Sequence, residues 1–284
     1  SGPDGVEWTV MRGGAPARTG LFWILVGASV LTSLGSVPYL VALLEQMPGP
    51  DGNPFPTRGA FPYLATAFQN LILTIPTAWV GLRLAPRAGF EVMKSPLGRA
   101  VRAGVWGGLA VGAGLFLLAP LLPEIAPKFP LRPAEWWKGL LASASAGVNE
   151  EIWFRLGVMT TLVAGGMALI RRRATKTALD GGDVVSSGHE TPVTLDSGQE
   201  LVVPAGLLWV ANAIAALLFG ALHLPQASMI AGLSPPVVAF TLIGNGIAAM
   251  AFGVLYWKRG LISAMVAHFS TDIVLHVIAP LAEP

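Results

Sequence analysis

The residues able to do chemistry are few, and they fall in three clusters. Asn149-Glu150-Glu151-Ile152-Trp153-Phe154-Arg155 is a charged island in apolar sequence, with Gly139 to Val148 before it and Leu156 to Ile170 behind. Further along, Phe219-Gly220-Ala221-Leu222-His223 is followed by Pro225, and His268-Phe269-Ser270-Thr271-Asp272 precedes His276. A charge at the centre of a membrane span costs a few kcal/mol or more, so ionisable residues at that depth mark functional sites. On a helix Glu151 and Arg155 stand four apart, share a face and can pair. Glu150 points about 100° away and lacks that partner, which suits a proton-transferring base. His268, Asp272 and His276 share one helical face at i, i+4 and i+8. Each cluster has a bland reading too. A lone intramembrane histidine such as His223 commonly bonds a neighbouring helix, Asp272 can serve only to orient His268, and His276 can be interfacial.

The elements that must position these groups are membrane spans. The chain is 53% hydrophobic and only 12% charged, about half the charge of an ordinary soluble domain. Its apolar residues come in uninterrupted blocks, so the fold class is all-α: a polytopic helical membrane protein, a bundle of seven to eight transmembrane helices around a central polar cavity. Zero cysteines exclude disulfides, thiolate metal sites and a cysteine nucleophile. A net charge of +2 does not suggest nucleic acid, and none is expected as a partner. The expected organisation is a polar N-terminal segment over 1–20, N-terminal transmembrane helices over 21–138 and a catalytic transmembrane core over 139–284.

The expected spans are Leu21 to Leu44, Tyr63 to Leu82, Ala103 to Leu122, a long block from Gly139 to Ile170, Leu201 to Leu224, Val237 to Trp257 and Leu261 to Ala279. Between the second and third, residues 83–102 carry five basic side chains among apolar ones and are expected to lie along the membrane surface. The fourth block is too long for one upright helix, so it should tilt, protrude or break near Gly165-Gly166. Residues 174–200 are the long hydrophilic loop, with a small hairpin expected over 192–203. Pro225 to Pro236 reads as turn-forming. With seven spans and an inside N-terminus, thirteen of the 18 Lys and Arg fall on the inner side and four on the outer, as the positive-inside rule requires.

Depth ties the clusters together. Glu150 is twelve residues past Lys138 and Asp272 thirteen past Arg259, so each lies about 18–20 Å in from its own face. Both land near the middle of a core of roughly 30 Å. His223 reaches that level only if its helix ends inside the protein and the next segment re-enters. Irregular backbone at such depth is tolerated where it lines a cavity.

Glu150-Glu151-x-x-x-Arg155, Phe219-x-x-x-His223 and His268-x-x-x-Asp272, in this order on hydrophobic helices, resemble the CPBP family. These are the CAAX-protease and bacteriocin-processing (Abi, Rce1-like) intramembrane endopeptidases, and the resemblance covers about residues 139–279. It implies a membrane-embedded peptidase with a bundle of about eight helices. The expected location is a prokaryotic plasma (inner) membrane, with the N-terminus cytoplasmic by the Lys and Arg count. It implies that Glu150 activates water together with His223, while His268 and residue 272 bind the oxyanion. Asn is frequent at that last position, and this chain has Asp272. An ionised Asp would repel an oxyanion, so Asp272 is expected either to be protonated or to orient His268. The 174–200 loop also lengthens the gap between the first two motifs.

The resulting expectation is peptide-bond hydrolysis near the C-terminal tail of a membrane-anchored or lipidated protein, without cofactor or metal. The candidate catalytic set is Glu150, Glu151, Arg155, His223, His268 and Asp272. The alternative cofactor is zinc, held by Glu150, His223, His268 and Asp272 through N and O donors, although His-Glu-x-x-His on one helix is absent. The alternative functions are a transporter or ion relay, against which no internal symmetry is visible, and a non-catalytic binding or immunity protein. The expected partners are the bilayer and a membrane-anchored protein or peptide substrate.

Overall fold

With no water in hydrocarbon to take backbone hydrogen bonds, a spanning chain must satisfy its peptide groups within itself, and the apolar blocks here do so as helices. The structure, a computed structural model, describes residues 15–46, 57–118, 135–180 and 202–282. In order these are α1 (Ala15–Gln46), α2 (Phe61–Ala88), α3 (Leu97–Leu118), α4 (Trp136–Glu151), a π-helical segment (Ile152–Met159), α5 (Thr160–Asp180), α6 (Ala205–Leu222), α7 (Leu224–Ala231), α8 (Pro235–Arg259), α9 (Leu261–Ile273), a second π-helical segment (Val274–Ile278) and α10 (Ala279–Ala282). No strand occurs among the described residues.

Among the described residues, six stretches are long and apolar enough to cross a membrane: Arg18–Glu45, Leu97–Leu118, Trp136–Arg173, Ala205–Met229, Pro235–Arg259 and Leu261–Leu281. The second expected span exists as α2, 28 residues long, but its Gln69, Asn70, Arg83 and two internal prolines keep it outside that set. Large apolar side chains point outward around the bundle, with Leu31 73%, Trp106 72% and Phe68 67% exposed. Such a surface is covered by lipid tails rather than water, and the protein is an integral membrane protein.

The helices pack through polar and small residues, since lipid tails are as apolar as Leu and supply no hydrophobic drive between them. Ser29 meets Thr74 at 3.0 Å, and Asn70 donates to Ser33, so α1 and α2 run antiparallel. α3 lies against α9 through Gly104, Gly108 and Gly112. A Cβ on Gly104 would stand 2.7 Å from the Ser263 carbonyl, and one on Gly108 would collide with the Ala267 carbonyl. Thr271 Oγ1 donates to the Gly108 carbonyl at 3.0 Å. This stripe sets the depth of α9, and with it His268 and Asp272. Gly108→Ala is expected to destabilise the protein by about 1–3 kcal/mol through overpacking, whereas Gly114→Ala, with nothing within 4 Å of its Cβ, should leave thermal unfolding in detergent unchanged.

Two expectations are corrected and a third is narrowed. Of the three outcomes open to the fourth block, a break at Gly165-Gly166 does not occur. The block stays helical from Trp136 to Asp180, so its length is taken up by tilt or protrusion, and it contains a π segment at Ile152–Met159, where the Thr160 N–H reaches five residues back to the Arg155 carbonyl. Residues 83–102 do not form a surface helix. α2 ends at Ala88 with Gly89 left-handed (φ 67°), and the following segment docks on the α8–α9 turn. There Lys94 N–H donates to Arg259 O (3.2 Å), Leu261 N–H to Glu91 O (3.3 Å) and Ile262 N–H to Val92 O (3.1 Å), with Phe90 and Val92 buried. Most of the expected turn at Pro225 to Pro236 is the short helix α7, because Pro225 sits in its first turn, where the missing N–H costs nothing. The expected hairpin lies almost wholly outside the described residues.

Candidate active site

Glu151 is the hub of the buried charges. At the end of α4 it is 0% exposed, as is Arg155 in the π segment. Its Oε2 accepts from Arg155 Nε at 3.1 Å, and its Oε1 lies 3.0 Å from His268 Nδ1. A carboxylate only accepts, so Nδ1 carries a proton, and Nε2 faces away from the pair. Ionic groups this deep need partners, and one glutamate serves two helices. The expected pairing of Glu151 with Arg155 is present. The orienting bond to His268 comes from Glu151 and not from Asp272, whose Oδ2 is 3.6 Å from His268 Nε2, beyond hydrogen-bond reach.

Glu150 faces the other way, into a cavity of about 330 Å³. Its Oε2 is buried with no hydrogen-bond partner, 3.8 Å from His223 Nε2 and 3.9 Å from His268 Nε2. His223 stands where α6 stops, with φ −84° and ψ −12°, followed at once by α7. Its Nδ1 is 2.8 Å from the Phe219 carbonyl. A carbonyl only accepts, so Nδ1 carries the proton and Nε2 presents a lone pair towards Glu150. Glu150, His223, His268 and Asp272 thus meet at the inner end of one cavity, while Glu151 and Arg155 lie behind it. His276 lines the same cavity, 3.4 Å from the Tyr39 hydroxyl.

Several supporting residues escape a reading based on charge. The His268 ring stacks on Phe252 (4.8 Å, 19°) and meets the edge of Phe219 at 5.6 Å, so aromatic walls hold it in plane. Asn149 anchors α4 against the first two helices. Its Nδ2 donates to the Ser145 carbonyl at 3.0 Å and to Ser33 Oγ at 3.3 Å, and its Oδ1 accepts from Ser29 and from Thr74 at 3.4 Å. Trp153 Nε1 donates to Thr74 at 2.8 Å. The signal for these partners was present: Ser29, Thr32, Ser33 and Ser36 recur at helical spacing on α1, as do Asn70, Thr74 and Thr77 on α2. No spacing rule announces the π segments, each of which begins within two residues of a charged site residue, where such segments often occur.

The fold and site define a class: an integral membrane helical bundle with paired carboxylates and two histidines gathered around a cavity inside it. The family model of the type II CAAX prenyl endopeptidases, Rce1-like, matches residues 132–274, just over half of the chain, and the chain belongs to that family. All six candidate residues fall within the match. No curated protein and no solved structure matches the chain.

Proposed function

We propose that the protein is an intramembrane endopeptidase that cuts a membrane-anchored or lipidated protein near its C-terminal tail with a water activated by Glu150 and His223. The observation that carries this reading is the Glu150 carboxylate, with one oxygen free of hydrogen bonds, facing two imidazole Nε2 atoms at 3.8 and 3.9 Å. Those separations are too long for direct bonds and suit a bridging water. Glu150 takes the water's proton as the water oxygen attacks the scissile carbonyl, and returns that proton to the amine nitrogen as the C–N bond breaks. With both ring nitrogens of His268 protonated, its Nε2 and a neutral Asp272 can each donate to the position where the oxyanion develops. Membership of a peptidase family supports the reaction class.

The test is the set of membrane-protein C-termini in cells with and without this protein. Shortened termini made only by the wild-type chain are expected; unchanged termini, with proton or ion flux through the reconstituted protein, would replace the reading with a relay.

Asp272 separates the metal-free mechanism from a zinc one. As a neutral donor it can be replaced by an amide, so Asp272→Asn should stay active while Asp272→Ala loses about 10²–10³ in kcat. As they stand, no three His, Asp or Glu among the described residues are grouped to hold a metal; were zinc bound, Glu150, His223, His268 and Asp272 would have to close around it, and it would supply Lewis-acid activation of water. Asp272→Asn would then lose metal and activity together, chelators would inhibit the wild type, and added zinc would rescue the variant. Metal analysis of purified active protein distinguishes the two.

A further inference from the structure

The bundle carries a reading of which side of the membrane the cavity serves. Its walls come from one end only: Tyr39 late in α1, Phe116 at the end of α3, Ala142 early in α4, Gln226 on α7, Thr241 early in α8 and His276 beyond α9. Among the described residues, the Lys and Arg at that end are Arg58 and Lys138, and Lys138 is paired with Glu135 at 3.1 Å.

The opposite end is basic. Arg18 stands at the start of α1 and Arg87 at the end of α2; Arg99 and Arg102 open α3. Arg171 to Arg173 lie in the later part of α5, and Lys258-Arg259 close α8. Helix order alone does not show that these gather on one side; packing does. Lys94 Nζ donates to Trp257 O at 3.1 Å, Trp257 meets Trp209 early in α6 at 5.0 Å, and Leu207 packs against Gly166 on α5. Flanking Lys and Arg accumulate on the cytoplasmic side of membrane proteins, so the end with the cavity is the other one.

We infer that the active-site cavity opens to the non-cytoplasmic face, and that the substrate is a membrane-anchored polypeptide whose scissile segment is exposed on that face. The side of the opening stands on packing and charge; the substrate part rests on the peptidase reading above. Among the described residues, the cavity lining contains no Lys or Arg.

The chain contains no cysteine, so single cysteines report accessibility without background. In the full-length protein in whole cells, Gln226→Cys at the cavity and Arg172→Cys on the basic end are treated with a charged, membrane-impermeant methanethiosulfonate. Gln226→Cys should react before permeabilisation as fully as after it, and Arg172→Cys only after. The reverse pattern, or Gln226→Cys reacting only once the membrane is opened, overturns the inference. This readout needs no activity, so an inert enzyme labelled from outside would sink the peptidase reading and leave the side of the cavity intact. For the substrate, new termini that depend on Glu150 should map to non-cytoplasmic segments of membrane proteins; cuts confined to cytoplasmic tails overturn that part.

Discussion

Glu150→Gln should lower kcat/KM by about 10²–10⁴, the usual contribution of a positioned general base, while the protein inserts and unfolds as the wild type does. The separation of these effects follows from the site. The Glu150 Oε2 has no hydrogen-bond partner, and its nearest ring nitrogens are 3.8 and 3.9 Å away. An isosteric amide therefore breaks no bond at that oxygen and leaves no group orphaned. It does remove the acceptor for the water's proton. The measurement is cleavage of a membrane-anchored peptide in detergent or proteoliposomes beside thermal unfolding of both proteins. Turnover near the wild-type rate would remove Glu150 as the base and with it the proposed mechanism.

Glu151→Gln should behave in the opposite way and fail first in stability. Both carboxylate oxygens are in use, one on Arg155 Nε and one on His268 Nδ1, and the group is 0% exposed. An amide keeps one acceptor and turns an N–H₂ towards the other donor. Arg155, with both terminal nitrogens already without hydrogen-bond partners, would become a buried charge without its counterion. Breaking such a pair costs about 3–5 kcal/mol. Replacing both partners with apolar groups of similar size removes that charge, so Glu151→Gln combined with Arg155→Met should regain much of the lost stability. Activity should not return with it, because His268 would still lack the carboxylate that accepts its Nδ1–H and holds the ring in place. A single variant as stable as wild type would mean that the Glu151–Arg155 pair contributes little. A double variant restored in activity as well as stability would remove Glu151 from the positioning of His268.

What the sequence by itself determined is the set of apolar blocks and the identity of the charged residues inside them. Uninterrupted runs of span length have one stable form in a bilayer, and a carboxylate, guanidinium or imidazole at that depth is costly enough to stand out. The Glu151–Arg155 pair was legible for the same reason, since both residues lie on one helical face four positions apart. The tertiary structure alone decided the partners. That Glu151 bridges Arg155 and His268 depends on how deeply α9 sits against α4. That depth is set in part by Gly104, Gly108 and Gly112 of a third helix, which local sequence cannot relate to His268. The split of two adjacent glutamates into one buried hub and one cavity-facing group required both sides of α4 to be filled: α1 and α2 through Asn149 on one, His223 at the broken end of α6 on the other. The π segment within the fourth block is of the same kind. Its hydrogen bonds are local, but the packing around it is not: Gly157 lies against Thr77, Leu156 against Gly81 and Gly166 against Leu207. Contacts between helices far apart in the chain choose among local conformations of similar energy, and a single sequence read along its length does not contain them.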